Sequence, residues 1–423
     1  MDTSSNAALS ELRERVIAAH RERRPLQLRG AGTKDFYGER LPGENLPGGR
    51  LAGETFNAEL LPSETLHGGP LPSETRRGEA LPGKMPPGEL LDLRPYRGIV
   101  DYEPSELVIT ARCGTPLSEI ESALSDRGQF LAFEPPAFKG DPTIGGVIAA
   151  GLAGPRRMYA GAARDFVLGV TLLDARGEIL RFGGQVMKNV AGFDVSRLLC
   201  GSLGILGVLT EVSLKVLPQP RAEETLRFEM PARQAVEAFN RWSGQPLPLS
   251  GAAWCKGVAW LRLSGAASAV RAAHERLGGE RVESTAALQW WNALRHHTHP
   301  IFENSTVWRL SVPDTTPPLD LPGDPLIDWG GALRWYAISD DSDTDARNAD
   351  NRATSARIAE QQLPRTREAA TAAKGTALCW RGQAPASGRF HPLQPTSATL
   401  NRRLKAQFDP HGIFNPGRLI AGL

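Results

Sequence analysis

Residues Lys188 to Pro218 read KNVAGFDVSRLLCGSLGILGVLTEVSLKVLP, and the order of elements they encode decides the fold. Asp194 is placed to cap a short helix by accepting main-chain N–H bonds. Leu198 and Leu199 give that helix an apolar side, and Gly201 can end it in the left-handed region that other residues enter only at a cost. Gly204 and Gly207 follow at three-residue spacing, and a residue without Cβ lets main-chain amides approach a flat ring or a phosphate. In the strand that comes next, Val208, Thr210, Val212, Leu214 and Val216 alternate with Glu211, Ser213 and Lys215, as a half-buried strand requires. A packed corner between a helix and a strand would also select glycine, so the three glycines alone are weak evidence of a ligand. Their order excludes Rossmann-type dinucleotide binding, which needs a strand, then glycines, then a helix.

Two stretches nearer the N-terminus share this character. Ala8 to Arg24 reads as an amphipathic helix, with Leu9, Leu12, Val16 and Ile17 at helical spacing, and Pro25 stops it. Leu26-Gln27-Leu28 then reads as a strand running into Arg29, Gly30, Ala31, Gly32, Thr33 and Lys34. Consecutive N–H groups at such a strand end suit a pyrophosphate, although a simple tight turn would use the same residues. The second stretch runs from Glu134-Pro135-Pro136 through Asp141, Pro142, Thr143, Ile144, Gly145 and Gly146 to Gly151. Its small residues can lie against a planar ring, with Thr143 to hydrogen-bond it and the Gly145 and Gly146 amides for phosphates; a small-residue helix face is the alternative. Before it, the strand Leu107 to Ala111 leads to a helix with Thr115 as N-cap, Pro116 at the first position and Gly128 at its end. After it, Arg156, Arg157, Arg164 and Asp165 precede a hairpin, VLGVTLLDARGEILRF, that turns at Asp174 to Gly177.

The chain has 423 residues, 41% hydrophobic and 23% charged, enough for two domains. A net charge of +2 gives no electrostatic case for nucleic acid or an anionic surface. Cys113, Cys200, Cys255 and Cys379 are far apart and form no CxxC pair, so neither an iron–sulfur cluster nor a zinc knuckle is encoded, and buried free thiols are expected. The polar N-terminus carries no export signal, and no run of about 18 apolar residues predicts a membrane span. From about Glu39 to Leu91, LPGE, LPGG, LAGE, LPSE, LPSE and LPGK recur on a five- or ten-residue period, too rich in Pro and Gly for a regular element, and a disordered insertion is predicted. Gly78 to Lys84 imitates a nucleotide-hydrolase phosphate loop, but Met85 stands where Ser or Thr must hold magnesium.

Taken together, RGAGTKDFYG (residues 29–38), the Glu134 to Gly151 region, KNVAGFD with GSLGILG, and VLTEVSLKVLP resemble, in the same order, the FAD-linked oxidases whose flavin domain is of the p-cresol methylhydroxylase or vanillyl-alcohol oxidase type. The match is close to the FAD-binding subunit of bacterial glycolate oxidase. It covers roughly Pro25 to Pro220 apart from the repeat, which departs from the family's pattern. The resemblance implies an α+β protein: a two-subdomain FAD-binding domain over residues 1–220, a smaller α+β cap or substrate domain over 221–400, and a segment over 401–423 that returns to the first. By position it assigns Arg29, Gly30, Ala31, Gly32, Thr33 and Lys34 to the pyrophosphate. It assigns Pro136, Asp141, Thr143, Ile144, Gly145, Gly146 and Gly151 to pyrophosphate and ring, and Arg164 and Asp165 to ordering that loop. Gly201, Ser202, Gly204, Ile205 and Val208 would line flavin and adenine, with Asn415 and Arg418 approaching from the tail FDPHGIFNPGRL. The FAD is expected without a covalent link. A second flavin subunit, an iron–sulfur subunit and a small 2-hydroxy acid are the implied partners, in the cytoplasm or peripheral at the inner membrane through the complex.

All nine tryptophans lie beyond Pro220, where the resemblance thins. Strand-like runs (Gly257 to Leu263, Thr306 to Val312, Gly331 to Ala337, Thr376 to Arg381) and helical runs (Ala232 to Trp242, Ala267 to Leu277) predict a sheet with helices on one side. Related 2-hydroxyacid dehydrogenases hold a metal with an HxH pair and a downstream acid. Here RHHTHP places His296, His297 and His299 in a helix-ending loop instead, so a surface or structural role is expected and no metal. Arg309, Arg334 and Arg381 lie in strand-like runs, and one could bind a carboxylate through two parallel hydrogen bonds. No catalytic base is identifiable. The chain therefore reads as a dehydrogenase site for a 2-hydroxy acid, as a structural or electron-relaying flavin subunit, or as a flavin oxidase acting alone.

Overall fold

The computed structural model describes residues 3–39, 88–184, 194–304, 306–338, 364–382, 385 and 387–420. The helix Thr3–Glu22 buries Leu12, Val16 and Ala19 against Leu173, Ala175 and Val208, while Ile17 stays exposed. The strand Leu26–Arg29 pairs in parallel with Glu89–Asp92, and Leu26 also bridges Phe414. The predicted insertion therefore overruns by three residues: Glu89, Leu90 and Leu91 are strand, because a buried Leu91 completes the core beside Leu26. The rest of the repeat, residues 40–87, lies outside the described residues, as do the Lys188 to Phe193 part of the KNVAGFD stretch and the Asp340 to Asn351 stretch.

A five-stranded antiparallel sheet carries the segments that the glycine-rich stretches join. Its order is Ile99–Glu103, Val108–Arg112, Val208–Lys215, Val167–Leu173 and Ile179–Gly183. Val208–Lys215 sits at its centre, so the expected half-burial gives way to burial on both faces: Ser213 is buried and shares a 2.8 Å hydrogen bond with Thr110. The helix Leu117–Ser125 is capped at Pro116 and not at Thr115, whose hydroxyl instead accepts from the Gly98 amide at 2.8 Å. The hairpin turns as predicted, with the Asp174 carboxylate accepting from the Arg176 and Glu178 amides.

The second sheet has eight antiparallel strands in the order Glu280–Arg281, Ala222–Glu229, Val258–Gly265, Leu249–Cys255, Leu326–Asp328, Leu333–Ile338, Thr306–Ser311 and Thr376–Arg381. Helices cover both of its faces, not one. Ala232–Ser243 and Ala267–Leu277 bury Val236, Phe239 and Val270 against one face. The helix Ser284–Arg295 lies against the other, where Trp291 and Leu294 meet Ala253 and Trp335, and Trp291 donates to Thr225 at 2.9 Å. That second face also receives Phe36, Tyr37, Phe138, Ala150 and Leu152 from the flavin-loop side of the molecule.

The helix Pro395–Phe408 and the tail after it pack on the first sheet. Lys405 is buried, and its Nζ donates to the Ile205 and Phe414 carbonyls at 2.6 and 2.8 Å and to Asp409 at 2.6 Å. Burial pulls its pKa down, but the carboxylate beside it and two carbonyls satisfy all three ammonium protons. Parallel pairing of Leu26–Arg29 with Glu89–Asp92 needs a crossover of about a dozen residues or more. Residues 30–39 and a short linker supply that length. Replacing residues 42–86 with a ten-residue Gly/Ser linker is expected to preserve the thermal unfolding midpoint and the FAD content of the purified protein; loss of FAD would show that the repeat contributes to the fold.

Candidate functional site

The glycine-rich loops converge. A Cβ on Gly30 would meet Thr143 Oγ1, one on Gly140 would meet Thr33, and one on Gly204 would come within 2.8 Å of Asn415. Gly151, at φ +64°, lies with its backbone against Gly201, itself at φ +86°. Close approach and left-handed backbone together require glycine here. Asp194 caps the helix Val195–Leu199 by accepting from the Arg197 amide at 3.2 Å; Leu199 is buried, but Leu198 is exposed.

The first loop is the one prepared for an anion. Among the described residues, the main-chain N–H groups of Ala31, Gly32, Thr33 and Lys34 donate to no protein acceptor. Arg29 pairs with Asp35 at 2.6 Å, whereas half-buried Lys34 has no carboxylate partner; desolvation pushes its pKa down to about 8. Four successive free amides beside an uncompensated cation fit a pyrophosphate. The second loop differs from expectation. Thr143 caps the helix Ile144–Ala150 by accepting from the Gly146 amide at 3.3 Å, Ile144 N donates to Thr115 O, and Gly145 N donates to Cys113 O at 2.9 Å. These amides are already spent inside the protein, so this loop offers a small-residue surface instead of phosphate donors.

Other predicted residues are dispersed. Pro136 is buried beside Ala137, whose amide donates to His296 Nδ1 at 3.2 Å. Asp141 accepts from the Ser118 amide and hydroxyl, at the start of the helix Leu117–Ser125. Asp165 orders its own loop by accepting from Ala162 N at 2.8 Å, but both it and Arg164 are exposed. Ser202 and Ile205 are buried, and the Val208 side chain belongs to the core under the first helix. Asn415, at φ +40°, accepts from Leu28 N at 2.8 Å and donates to Leu203 O at 2.7 Å. Arg418 donates to the Asp35 and Lys34 carbonyls.

Beside these loops lies a narrow cavity, partly open to solvent. Leu152, Ala153 and Gly154 line it on one side, directly after Gly151; His297, Arg309, Asp328, Trp329, Trp335 and Trp380 line it from the second sheet. Arg309 is the one candidate arginine placed here. Arg334 is fully buried and donates to the Gly331 and Thr316 carbonyls, and Arg381 is exposed at its strand end. His297 is not a surface residue: its ring stacks on Phe302 at 4.3 Å and lies about 5 Å from Phe138, Trp335 and Trp380. Burial, with Arg309 nearby, pulls its pKa down to about 3, so it is a neutral imidazole. Its Nδ1 is buried without a partner. Asp328 is buried, accepts from the Trp329 amide at 2.7 Å, and is pushed by that burial up to about 7. Trp329 itself is held at φ +50°, and its indole donates to Gly154 O at 3.0 Å. Asp328 and Trp329 escaped sequence reasoning; the Asp-Trp-Gly-Gly turn at 328–331 and the crowding of tryptophans were the available signals. Among the described residues no three His, Cys, Asp or Glu side chains converge as a metal site.

Comparison with known proteins agrees with this geometry. A family model described as an FAD binding domain matches residues 78–183. The chain is similar across its whole length in fold to alkyldihydroxyacetonephosphate synthase, with a TM-score of 0.58 at 14% identity, covering 97% of this chain and 76% of that one. Fold and loops thus define an FAD-linked oxidoreductase with a p-cresol methylhydroxylase type flavin domain, and FAD is its cofactor. It is 46% identical over 340 residues to the glycolate oxidase subunit GlcE of Escherichia coli (strain K12), covering 79% of this chain and 88% of that protein. The chain belongs to the family of that subunit. A shorter similarity, 36% over 128 residues and 27% of the relative's length, links it to the glycolate oxidase subunit GlcD of Bacillus subtilis (strain 168).

The folded Asp328 carboxyl keeps its proton up to about pH 7, whereas the unfolded one releases it near 3.8. Between those values the unfolded state binds fewer protons, so Asp328 costs stability progressively as pH rises through the window. Asp328→Asn is expected to raise the apparent melting temperature by an amount that grows from about pH 4 to pH 7, reaching on the order of 5 °C, and stays level above. Melting curves across pH check this; a variant less stable than the parent at pH 8 would contradict it.

Proposed function

We propose that this chain is the FAD-carrying subunit of a complex that oxidises glycolate to glyoxylate, with a second flavin subunit and an iron–sulfur subunit passing the electrons onward. The observation that carries the reading is the cavity itself: it opens directly after the Gly151–Gly201 contact, where the glycine-rich loops meet the second sheet. In this reading residues 1–220 bind the cofactor, 221–400 form the substrate side, and 401–423 close the cradle. The four amides of Ala31 to Lys34 and the Lys34 ammonium would hold the pyrophosphate. Thr143, Gly151, Gly201 and Gly204 would present a flat, small-residue surface to the ring system. FAD, when bound, supplies the acceptor for a hydride leaving the substrate carbon. The protein's own work is then to exclude water with Trp329, Trp335 and Trp380, to hold a small anion, and to accept a proton.

The relative from Escherichia coli is named as a subunit of glycolate oxidase, which supports a role within an assembly. Among the described residues no helix is long and apolar enough to cross a membrane. A second reading is a flavin subunit that relays electrons while its partner binds substrate; among the described residues no histidine and acid set converges of the kind the 2-hydroxyacid dehydrogenases use.

One experiment separates the two. The purified chain with FAD bound, mixed with glycolate or D-lactate without oxygen, is expected to lose its visible flavin bands with glycolate. Bands unmoved by either acid, while the assembled complex turns glycolate over, would assign the chemistry to the partner.

A further inference from the structure

The four strands Leu326–Asp328, Leu333–Ile338, Thr306–Ser311 and Thr376–Arg381 present one face to the flavin loops. Their register puts Arg309 opposite Trp335, Trp335 opposite Leu326, and Asp328 opposite Leu333. Because strand side chains alternate, Val307, Arg309, Leu326, Asp328, Leu333 and Trp335 share that face. It is an apolar wall interrupted by two ionisable residues, and both line the cavity.

Neither has a charged partner among the described residues. Among the described residues the Arg309 side chain makes no hydrogen bond and no ion pair; its guanidinium lies over the rings of Trp329 and Trp335 at 5.2 and 5.9 Å. Asp328 has one hydrogen bond, from the Trp329 amide, and is not paired with Arg309 within 4.0 Å. Burying an ionisable side chain without a partner of opposite charge is costly, so a fold keeps such a group only where something else offsets the cost. The Arg309 guanidinium rests on tryptophan rings instead of a carboxylate, and the unpartnered Nδ1 of His297 lies in the same cavity. A cation held apart from a carboxylate, with a neutral imidazole nearby, matches a short molecule that carries a carboxylate at one end and a hydroxyl beside it.

We propose that Arg309 binds the carboxylate of a small 2-hydroxy acid and that Asp328 is the base that takes its hydroxyl proton. This rests on the reading of the chain as a flavoprotein that oxidises such acids. The guanidinium offers two parallel N–H donors, the geometry that suits a carboxylate. The O–H bond breaks with its proton passing to Asp328, and the C–H bond at the same carbon breaks as hydride to the FAD acceptor. A 2-oxo acid and a protonated Asp328 result.

Oxalate tests the assignment, because it resembles the substrate dianion but carries no hydrogen to transfer. Its binding is read by calorimetry and by the change it causes in the flavin spectrum of the FAD-loaded protein, and glycolate reduction is followed separately without oxygen. Asp328→Asn is expected to bind oxalate within about threefold of the parent and to be reduced by glycolate at least 100-fold more slowly. Arg309→Gln is expected to weaken oxalate at least 10-fold. Should it lose FAD, Arg309→Lys gives the same reading, with weakening of a few fold. Parent-like reduction of Asp328→Asn, or unchanged oxalate affinity in the Arg309 variants, overturns the proposal alone. A parent protein that holds FAD yet neither binds oxalate nor is reduced by glycolate overturns the function reading with it.

Discussion

Asn415 holds three separate parts of the chain at one point. Its amide donates to Leu26 O, its Oδ1 accepts from Leu28 N, and its Nδ2 donates to Leu203 O, so the first strand, the last glycine turn and the C-terminal tail are fixed relative to one another. Asparagine tolerates the left-handed backbone this position requires, and its short side chain carries a carbonyl acceptor and an amide donor on separate atoms. The tail can reach this point because Lys405 and Asp409, buried four residues apart, anchor the preceding helix to Ile205 and Phe414. With these ties in place, the loop of free amides from Ala31 to Lys34 starts where Gly30 meets Thr143, and Gly204 meets Asn415 and Leu28 at the strand that leads into it.

A second constraint seats one sheet against the other. The Glu134 carboxylate accepts from Arg156 N and Nε at 2.8 and 2.9 Å and from the Arg262 guanidinium at 3.0 and 3.2 Å, joining the second glycine-rich stretch to the larger sheet. Burial opposes the charge on Glu134, but the two guanidinium groups outweigh it and hold the carboxyl below its usual range. Non-glycine residues forced to positive φ gather around this seam and the cradle: Glu134, Phe138, Leu203, His297, Trp329 and Asn415. Strain of about 1–3 kcal/mol at each persists only where neighbours fix the backbone. Here those neighbours are the residues that shape the cavity.

The flavin half of the fold was legible because its signals are local. Asp194 before Val195, the glycines at 201, 204 and 207, and the alternating strand that follows are consequences of chain geometry that need no distant partner. The Gly145 and Gly146 amides were read as phosphate donors, but whether an amide in this segment is free depends on Cys113 and Thr115, some 30 residues away, and on the Thr143 cap. The cavity was hardly legible at all. His297 looks like a surface loop residue until Phe138, Phe302, Trp335 and Trp380 enclose it from four separate segments. Asp328 looks like the end of a short strand until the register places it across from Leu333, on the face that carries Arg309. Arg309, Arg334 and Arg381 were equivalent in sequence, and only strand pairing and burial separate the one that meets the cavity from one locked onto carbonyls and one in solvent.

The account stands on the claim that the tail, the first strand and the last glycine turn form one cradle for FAD. The most direct test is the FAD dissociation constant of Asn415→Ala, with circular dichroism to follow the fold. Removing both side-chain bonds is expected to weaken FAD at least 10-fold while the secondary structure is kept. FAD bound as tightly as in the parent would show that the cradle does not depend on this tie, and the arrangement described here would be wrong at its centre.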